Sequence, residues 1–357
     1  MEYIELSDLC TPHTKNIAVK DVANQKGKYP VFGAAGLVGF IDSYQMANEY
    51  VGIIKDGAGI GRTNTYPAKS SLIGTMQCLL PKDGVNVKYL MYLVRSLKLG
   101  SSYSGATIPH IYYKNYKNTK IPKRELKQQL EIADTLDNIE AGICVKQEQL
   151  KALDELIQSR FTEMFGKRFL SNLISLRNIA DFTIGLTYKP ENVSETGTIV
   201  LRSGNIQNNS LELKDDIVRV ANIKIPDNKF VKENDILMCA RNGSAKLVGK
   251  SCLISNLKEQ MAFGAFMTVI RSRYPHFLQS FFTSSFFKAQ LVNTATASVK
   301  QITSKMLGDY HVIQPTDEEE NQFAEFVQQV EKAKEIVKIQ IKDLQELLAL
   351  KMDEYFR

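Results

Sequence analysis

Two stretches of the chain place apolar residues at steps of three, four or seven. The first runs through Ile132, Leu136, Ile139, Ile143, Leu150, Leu153, Ile157 and Met164, after Pro122. The second runs through Phe323, Val327, Val330, Val337, Ile341, Leu344, Leu348 and Tyr355, after Pro315. Such steps draw one apolar seam along a helix, and a seam kept in heptads is that of helices that pair. Long helices are therefore predicted over 122–166 and 316–357. Gly142, Lys146 and Gln147 interrupt the first seam and predict a bent or hydrated spot there. Outside these stretches the apolar runs are short. Segments 50–54, 76–80, 199–201, 235–239 and 266–270 read as buried strands, with helices near 87–99 and 275–291.

The two long stretches match residue for residue at a constant offset. Ile132-Ala133-Asp134 stands opposite Phe323-Ala324-Glu325, Lys151 opposite Lys342, and Glu163-Met164-Phe165 opposite Glu354-Tyr355-Phe356. The correspondence reaches back more faintly. Ile4-Glu5-Leu6 and Leu9 parallel Ile174-Ser175-Leu176 and Ile179, and Ile108-Pro109-His110-Ile111 falls opposite Val299-Lys300-Gln301-Ile302. This is an internal repeat with a period of about half the chain. If the seams pair, connectivity makes the helices antiparallel, with one module at each end. A helix of about 35 residues would be a rod of roughly 50 Å; a DNA turn is about 34–36 Å. The alternative is that each helix packs only on its own module.

Charge follows the same division. Residues 1–121 hold 14 Lys and Arg against 8 Asp and Glu, and residues 167–315 hold 19 against 11. The predicted helices reverse the balance, with 6 against 9 in 122–166 and 6 against 11 in 316–357. Basic modules suit a polyanion, since Lys and Arg neutralise phosphates and release counterions. Acidic helices repel phosphate and leave binding to the modules. Five scattered cysteines and four isolated histidines form neither CxxC nor HExxH. A disulfide framework or metal centre is not expected, and the absence of a signal-like start or long apolar run predicts a cytoplasmic protein with no membrane partner.

Two kinds of polar cluster are candidates for contact. The turn from Lys55 through Gly57, Gly59 and Gly61 to Arg62 lacks the third glycine of GxGxxG and the Gly-Lys-Ser/Thr of a P-loop, so a nucleotide site is not expected. It reads instead as a turn between strands. With Asn64 and Lys69 it offers groups suited to phosphates and base edges. Its counterpart in the second half is Arg241, Asn242, Ser244, Lys246 and Lys250, with Arg202 and Asn205 upstream. A further cluster precedes each long helix: Ser104, Thr107, His110, Tyr112 and Lys114 in the first half, and Ser298, Lys300 and Gln301 in the second. The structural alternative for each is an ordinary solvated loop.

With these residues assembled, the chain resembles the specificity subunit of type I restriction–modification enzymes. The matching motifs are Tyr29-Pro30-Val31-Phe32-Gly33, Gly105-Ala106-Thr107-Ile108, Ile121-Pro122 and Gln128-Gln129. Further matches are Ile132-Ala133-Asp134 with Leu136-Asp137, and Leu201-Arg202-Ser203-Gly204-Asn205-Ile206. Asn234-Asp235-Ile236-Leu237 departs from the family's Gly-Asp-Ile-Leu. The resemblance implies an α+β fold in which two α/β target-recognition domains, 1–121 and 167–315, are separated by two conserved helices, 122–166 and 316–357. These helices pair as an antiparallel coiled coil with a pseudo-two-fold repeat. It also implies that each domain reads one half of a split double-stranded DNA site, that two methyltransferase subunits dock on the coil, and that restriction/translocase subunits join the complex. S-adenosylmethionine, ATP and magnesium would then belong to the partners, with no cofactor or metal and no catalytic residue on this chain. No Asn/Asp-Pro-Pro-Tyr/Phe motif is present, and Glu212-Leu213-Lys214 alone does not make a nuclease. Rival readings are a recognition–cleavage fusion, a protein-binding coiled-coil scaffold, and a homodimeric regulator reading one symmetric site.

Overall fold

A computed structural model describes residues 2–13, 17–22, 27–101, 110–214, 217–294 and 301–357. The chain divides into two compact units. One comprises Met1–Gln147 with Lys338–Arg357, and the other Glu148–Val337. Each unit therefore contains an α/β module together with part of both long helices.

In the first unit, Cys10–His13, Met76–Pro81, Tyr50–Ile54 and Thr63–Tyr66 form a four-stranded antiparallel sheet in that order. Tyr50–Ile54 is buried along its whole length, as its unbroken apolar run requires of an inner strand. A smaller sheet joins Gly36–Ile41, Tyr29–Gly33 and Ser71–Leu72, the last pair parallel. Helix Val87–Ser96 covers the larger sheet and is capped by Asn86, whose Oδ1 accepts from the Tyr89 amide at 2.9 Å. Strand Tyr3–Glu5 pairs with Lys120–Pro122, just ahead of the first long helix.

The second unit repeats this frame. Ala180–Ile184, Met267–Ser272, Ile236–Cys239 and Ser251–Leu253 form its four-stranded antiparallel sheet. Ile174–Ser175 pairs with His311–Val312, as Tyr3–Glu5 does with Lys120–Pro122. Its second sheet differs in its outer strands: Val193–Ser194, Arg219–Val220, Thr198–Leu201 and Met261–Phe263 lie in that order. Two helices, Pro275–Thr283 and Ser285–Thr294, replace the single one expected. The chain turns extended at Ser284, whose Oγ accepts from the Phe287 amide at 3.4 Å and so starts the second helix.

Both long helices are continuous, over Leu126–Phe165 and Asp317–Phe356. At Gly142, where the seam is interrupted, the helix continues without a break, and a Cβ placed there would lie 3.5 Å from the Leu344 side chain. Within each unit the helix segments run antiparallel. In the first, Arg124 donates to the Tyr355 carbonyl at 3.5 Å, while Gly142 faces Leu344. In the second, Lys334 meets Asp154 at 2.7 Å, and Phe165 packs on Phe323 with ring centroids 5.6 Å apart.

Every predicted seam residue is buried or partly buried. Ile132, Leu136, Ile139, Ile157, Phe323, Val330 and Val337 are the most deeply enclosed. Ile143, Leu150, Leu153, Val327, Ile341, Leu344 and Leu348 are partly so. The helices also form part of the module cores. Ile132, Ala133, Leu136 and Phe356 join Tyr89, Leu90 and Leu93, whereas Ile157, Phe161, Phe165 and Phe323 join Phe277, Phe281 and Phe287.

Candidate nucleic-acid interface

The glycine-rich turn of the first unit joins strands Tyr50–Ile54 and Thr63–Tyr66. Gly57, Gly59 and Gly61 take φ of +81°, +80° and +84°, where side-chain-bearing residues are strained. Gly61 also lies so close to Gly100 that a Cβ there would come within 2.4 Å of the Gly100 nitrogen. Asp56 forms a β-bridge with His110, and the Ile111 amide donates to the Lys55 carbonyl at 2.9 Å. Ladder contacts thus join the turn to the segment ahead of the first long helix, two places that the sequence treats separately.

Around this bridge, the Asp56 carboxylate meets His110 Nδ1 at 2.6 Å through one oxygen and Lys55 Nζ at 3.0 Å through the other. Tyr112 stacks near His110, with ring centroids 6.1 Å apart, and Lys114 Nζ lies 5.5 Å from the centre of the Tyr112 ring. Lys55, His110, Tyr112 and Lys114 thereby form one partly exposed polar cluster. Arg62 is exposed and donates to the Gly59 and Ala34 carbonyls, both at 3.4 Å. Asn64 is exposed, but its side-chain oxygen accepts from Arg95 at 2.9 Å, and Arg95 also pairs with Glu140 at 2.7 Å. That chain of contacts makes Asn64 part of the module's attachment to the helix. Burial raises the neighbouring Tyr66 phenol above its ordinary range, although a hydrogen bond with Asn64 opposes it. Lys69 is exposed at φ +55° in the loop before Ser71–Leu72.

The second unit brings its candidates together in the same way. Arg241 forms a β-bridge with Gln301, and the Ile302 amide donates to the Ala240 carbonyl at 2.7 Å. Asn242 donates to Ser203 Oγ at 3.1 Å and accepts from the Ser244 amide at 2.9 Å. Arg241, Ser244, Lys246 and Gln301 are exposed, and Lys250 is partly buried. Phe266, absent from the sequence candidates, holds this turn through its carbonyl. It accepts from the Ala240 and Arg241 amides at 2.9 and 3.0 Å, and the Arg241 guanidinium lies 5.5 Å from the centre of its ring.

Asn205 requires correction. It is 1% exposed, and its side chain accepts from the Arg202 amide at 2.8 Å and donates to the Glu212 carbonyl, so it shapes the turn and offers nothing to a base edge. Arg202 remains exposed beside it. Ser104, Thr107, Ser298 and Lys300 lie outside the described residues. Glu212 and Lys214 stand 3.9 Å apart on the surface, and no group of three His, Cys, Asp or Glu able to hold a metal occurs among the described residues.

Several motif residues prove to be framework. Asn234 adopts φ +66°, which explains a glycine at this place in the family pattern, since Asn is among the few other residues that tolerate the left-handed region. Asp235 beside it is 3% exposed and receives two hydrogen bonds from Arg271, each 2.9 Å. Gln129 is 3% exposed and accepts from the Asn86 amide at 3.0 Å, at the start of the module helix. Glu320, its counterpart in the repeat, accepts from the His276 and Phe277 amides at 2.9 and 3.1 Å, at the same place in the second unit. The constant repeat offset was the only sign that these two residues share a position.

The fold thus defines a class: a duplicated α/β protein in which paired long helices complete both cores and each module joins a turn to the segment preceding its helix. Residues 1–155 match the family described as type I restriction modification DNA specificity domain. The chain also resembles the S subunit of the type I restriction–modification system from M. genitalium. The match has TM-score 0.53 and 15% identity, covering 100% of this chain and 96% of that one. A chain from a structure of complex assembly and conformational transition in the type I R-M system matches with TM-score 0.58 and 14% identity, over 99% and 97% of the two chains. Over its whole length, then, the protein has the fold of a type I S subunit. Comparison with curated proteins finds no match. No helix among the described residues is long and apolar enough to cross a membrane.

Proposed function

We propose that the chain is the specificity subunit of a type I restriction–modification complex. Each recognition module, 1–121 and 167–315, reads one half of a bipartite, asymmetric double-stranded DNA site. The helices over 122–166 and 316–357 set the spacing and dock two methyltransferase subunits, and restriction/translocase subunits join through that assembly in the cytoplasm. The chain aims chemistry without performing it, and S-adenosylmethionine, ATP and magnesium serve the partners.

The observation that carries this reading is the matched pair of ladder closures, Asp56 with His110 and Arg241 with Gln301. They gather Lys55, His110, Tyr112 and Lys114 in the first unit, and Arg241, Asn242 and Gln301 in the second, each on a basic module. Lys55, Lys114, Arg241 and Lys246 supply phosphate contacts, and Arg62 and Gln301 have donors suited to base edges. Because the surrounding turns differ in sequence, two unlike half-sites follow.

The test is selection from random duplex DNA at physiological salt, using the full chain co-expressed with its methylating subunit. Two unlike short blocks at a fixed gap are expected. One symmetric block would favour a homodimeric regulator, and recovery of no preferred sequence would favour a protein-binding scaffold.

A further inference from the structure

The two closures share a feature that phosphate binding and base-edge hydrogen bonding do not require. Each displays a large exposed aromatic ring with a cation beside it. Tyr112 is 49% exposed with Lys114 Nζ 5.5 Å from its ring centre, and Phe266 is 60% exposed with the Arg241 guanidinium at 5.5 Å. Both are fixed at the backbone. Tyr112 follows the ladder residues His110 and Ile111 and precedes the short helix Tyr113–Tyr116. The carbonyl of Phe266 accepts the two amides that begin the opposing turn. Exposing this much aromatic surface forgoes hydrophobic stabilisation, yet a buried position for Phe266 would cost the fold nothing in hydrogen bonding, because its side chain makes none. The rings also come from different elements of the two modules: Tyr112 from the segment before the long helix, Phe266 from the turn that links Met261–Phe263 of one sheet to Met267–Ser272 of the other.

We infer that Tyr112 and Phe266 each stack on a nucleobase face of the target duplex, opening a base step within each half-site while the adjacent Lys114 and Arg241 hold the flanking phosphate. Apolar and aromatic side chains that enter a base step partly unstack and kink DNA, and an aromatic ring stacks on any base. The paired cation draws the ring's face to itself and matches the charge of the backbone beside an opened step. Specificity would then come partly from the ease of unstacking at the step, a property read without hydrogen bonds. This inference rests on the DNA-recognition reading above.

The test uses the full chain co-expressed with its methylating subunit and the duplex recovered by selection, with 2-aminopurine placed in turn at each adenine. A fluorescence rise on binding is expected at a position within each half-site. Phe266→Ala should abolish the rise in one half-site and Tyr112→Ala that in the other, each weakening binding roughly five- to hundredfold. Phe266→Trp should retain the rise. Both rings are exposed, so unchanged thermal unfolding of the alanine variants is the control for folding. A methyltransferase turns its own target base out of the duplex, so the methylated adenine of each half-site is left out of the comparison. Selective binding with no rise at any other position, or such a rise that persists in both alanine variants, overturns stacking and leaves the DNA-recognition reading intact. Failure to recover any preferred duplex overturns both.

Discussion

At the place where helix meets module, the two units use different chemistry in one geometry. In the first unit the pair Gln128-Gln129 opens the long helix. Gln128 accepts from the Glu125 amide at 3.2 Å, and Gln129 accepts from the Asn86 amide at 3.0 Å. In the second unit Glu319-Glu320 occupies the same two positions. Glu319 accepts from the Thr316 amide at 2.8 Å, closing a capping box with Thr316, and Glu320 accepts from two amides of the module helix. The surroundings diverge in the same sense. The first unit ties its helix down with polar contacts, Tyr92 to Asp137 at 2.8 Å and Arg95 to Glu140 at 2.7 Å. The second relies on a phenylalanine cluster of Phe161, Phe165, Phe169, Phe277, Phe281 and Phe323. A duplicated frame thus conserves where an acceptor must stand, because orphan amides at a helix start demand one. Which acceptor stands there is free to drift.

The sharpest test sets Phe165 against its repeat counterpart Phe356. Phe165 is fully buried and packs on Phe277 and Phe323 with ring centroids 4.9 and 5.6 Å away. Phe356 retains 8% exposure and meets Tyr89 at 5.5 Å. Phe165→Ala should cost about 3–5 kcal/mol, and Phe356→Ala less, read as denaturant midpoints. Equal losses would show that the two attachments are energetically alike.

The acceptor swap comes next. In Gln129→Glu the side chain can no longer donate to the Arg124 and Gly84 carbonyls, which it now reaches at 2.9 and 3.4 Å, and it carries a charge into a buried place. A loss of about 1–3 kcal/mol is expected, localised by hydrogen exchange in Val87–Ser96. Glu320→Gln keeps one acceptor oxygen at a helix start and should lose about 1 kcal/mol. The reverse order would mean that the charge, and not the acceptor, holds the second module.

A smaller effect is expected at Lys334, whose counterpart in the first helix is Ile143. Lys334 is 5% exposed and pairs with Asp154 and Glu331, both at 2.7 Å. Burial would lower its ammonium pKa, but the two carboxylates outweigh burial and raise it. Both carboxylates are partly exposed and can be rehydrated, so Lys334→Ile should change thermal stability by no more than about 1 kcal/mol.

The smallest effect is a difference in acid response. Burial alone would raise the Glu319 carboxyl, but the Thr316 amide and Arg168 together bring it below its usual range. A carboxylate with a depressed folded-state pKa stabilises above its unfolded pKa of about 4.3. That stabilisation is lost as pH falls through the lower folded value. Gln128 has no proton to exchange. Acid titration below about pH 4.3 should therefore loosen the start of Asp317–Phe356 before that of Leu126–Phe165, and Glu319→Gln should abolish the difference seen by hydrogen exchange.

Much of this was legible in the sequence, for reasons of period and length. A seam of heptads over forty residues is a strong signal, and each long helix begins and ends within a few residues of its expected bounds. Gly142 interrupts the seam, yet the helix runs on through it with Leu344 alongside. Of the second sheets only 199–201 was legible, because strands such as Ser71–Leu72 and Val193–Ser194 are two residues long and carry no period. At the candidate site the turns were legible as basic, glycine-rich punctuation. Their joining to Ile111 and Ile302 was not, since a single ladder contact across some fifty residues leaves no local pattern. Asn205 misled because a buried turn-forming amide and an exposed base reader look the same in sequence.

The makeup of the first unit has a consequence for the order of events on the ribosome. Its compact body includes Lys338–Arg357, and Phe356 sits in the same hydrophobic cluster as Leu6 and Tyr89. Synthesis delivers Glu148–Val337, the whole second unit, before that final stretch exists. The half of the protein made first can therefore complete its core only after the half made second has emerged, and until then the surface that Lys338–Arg357 covers stays open.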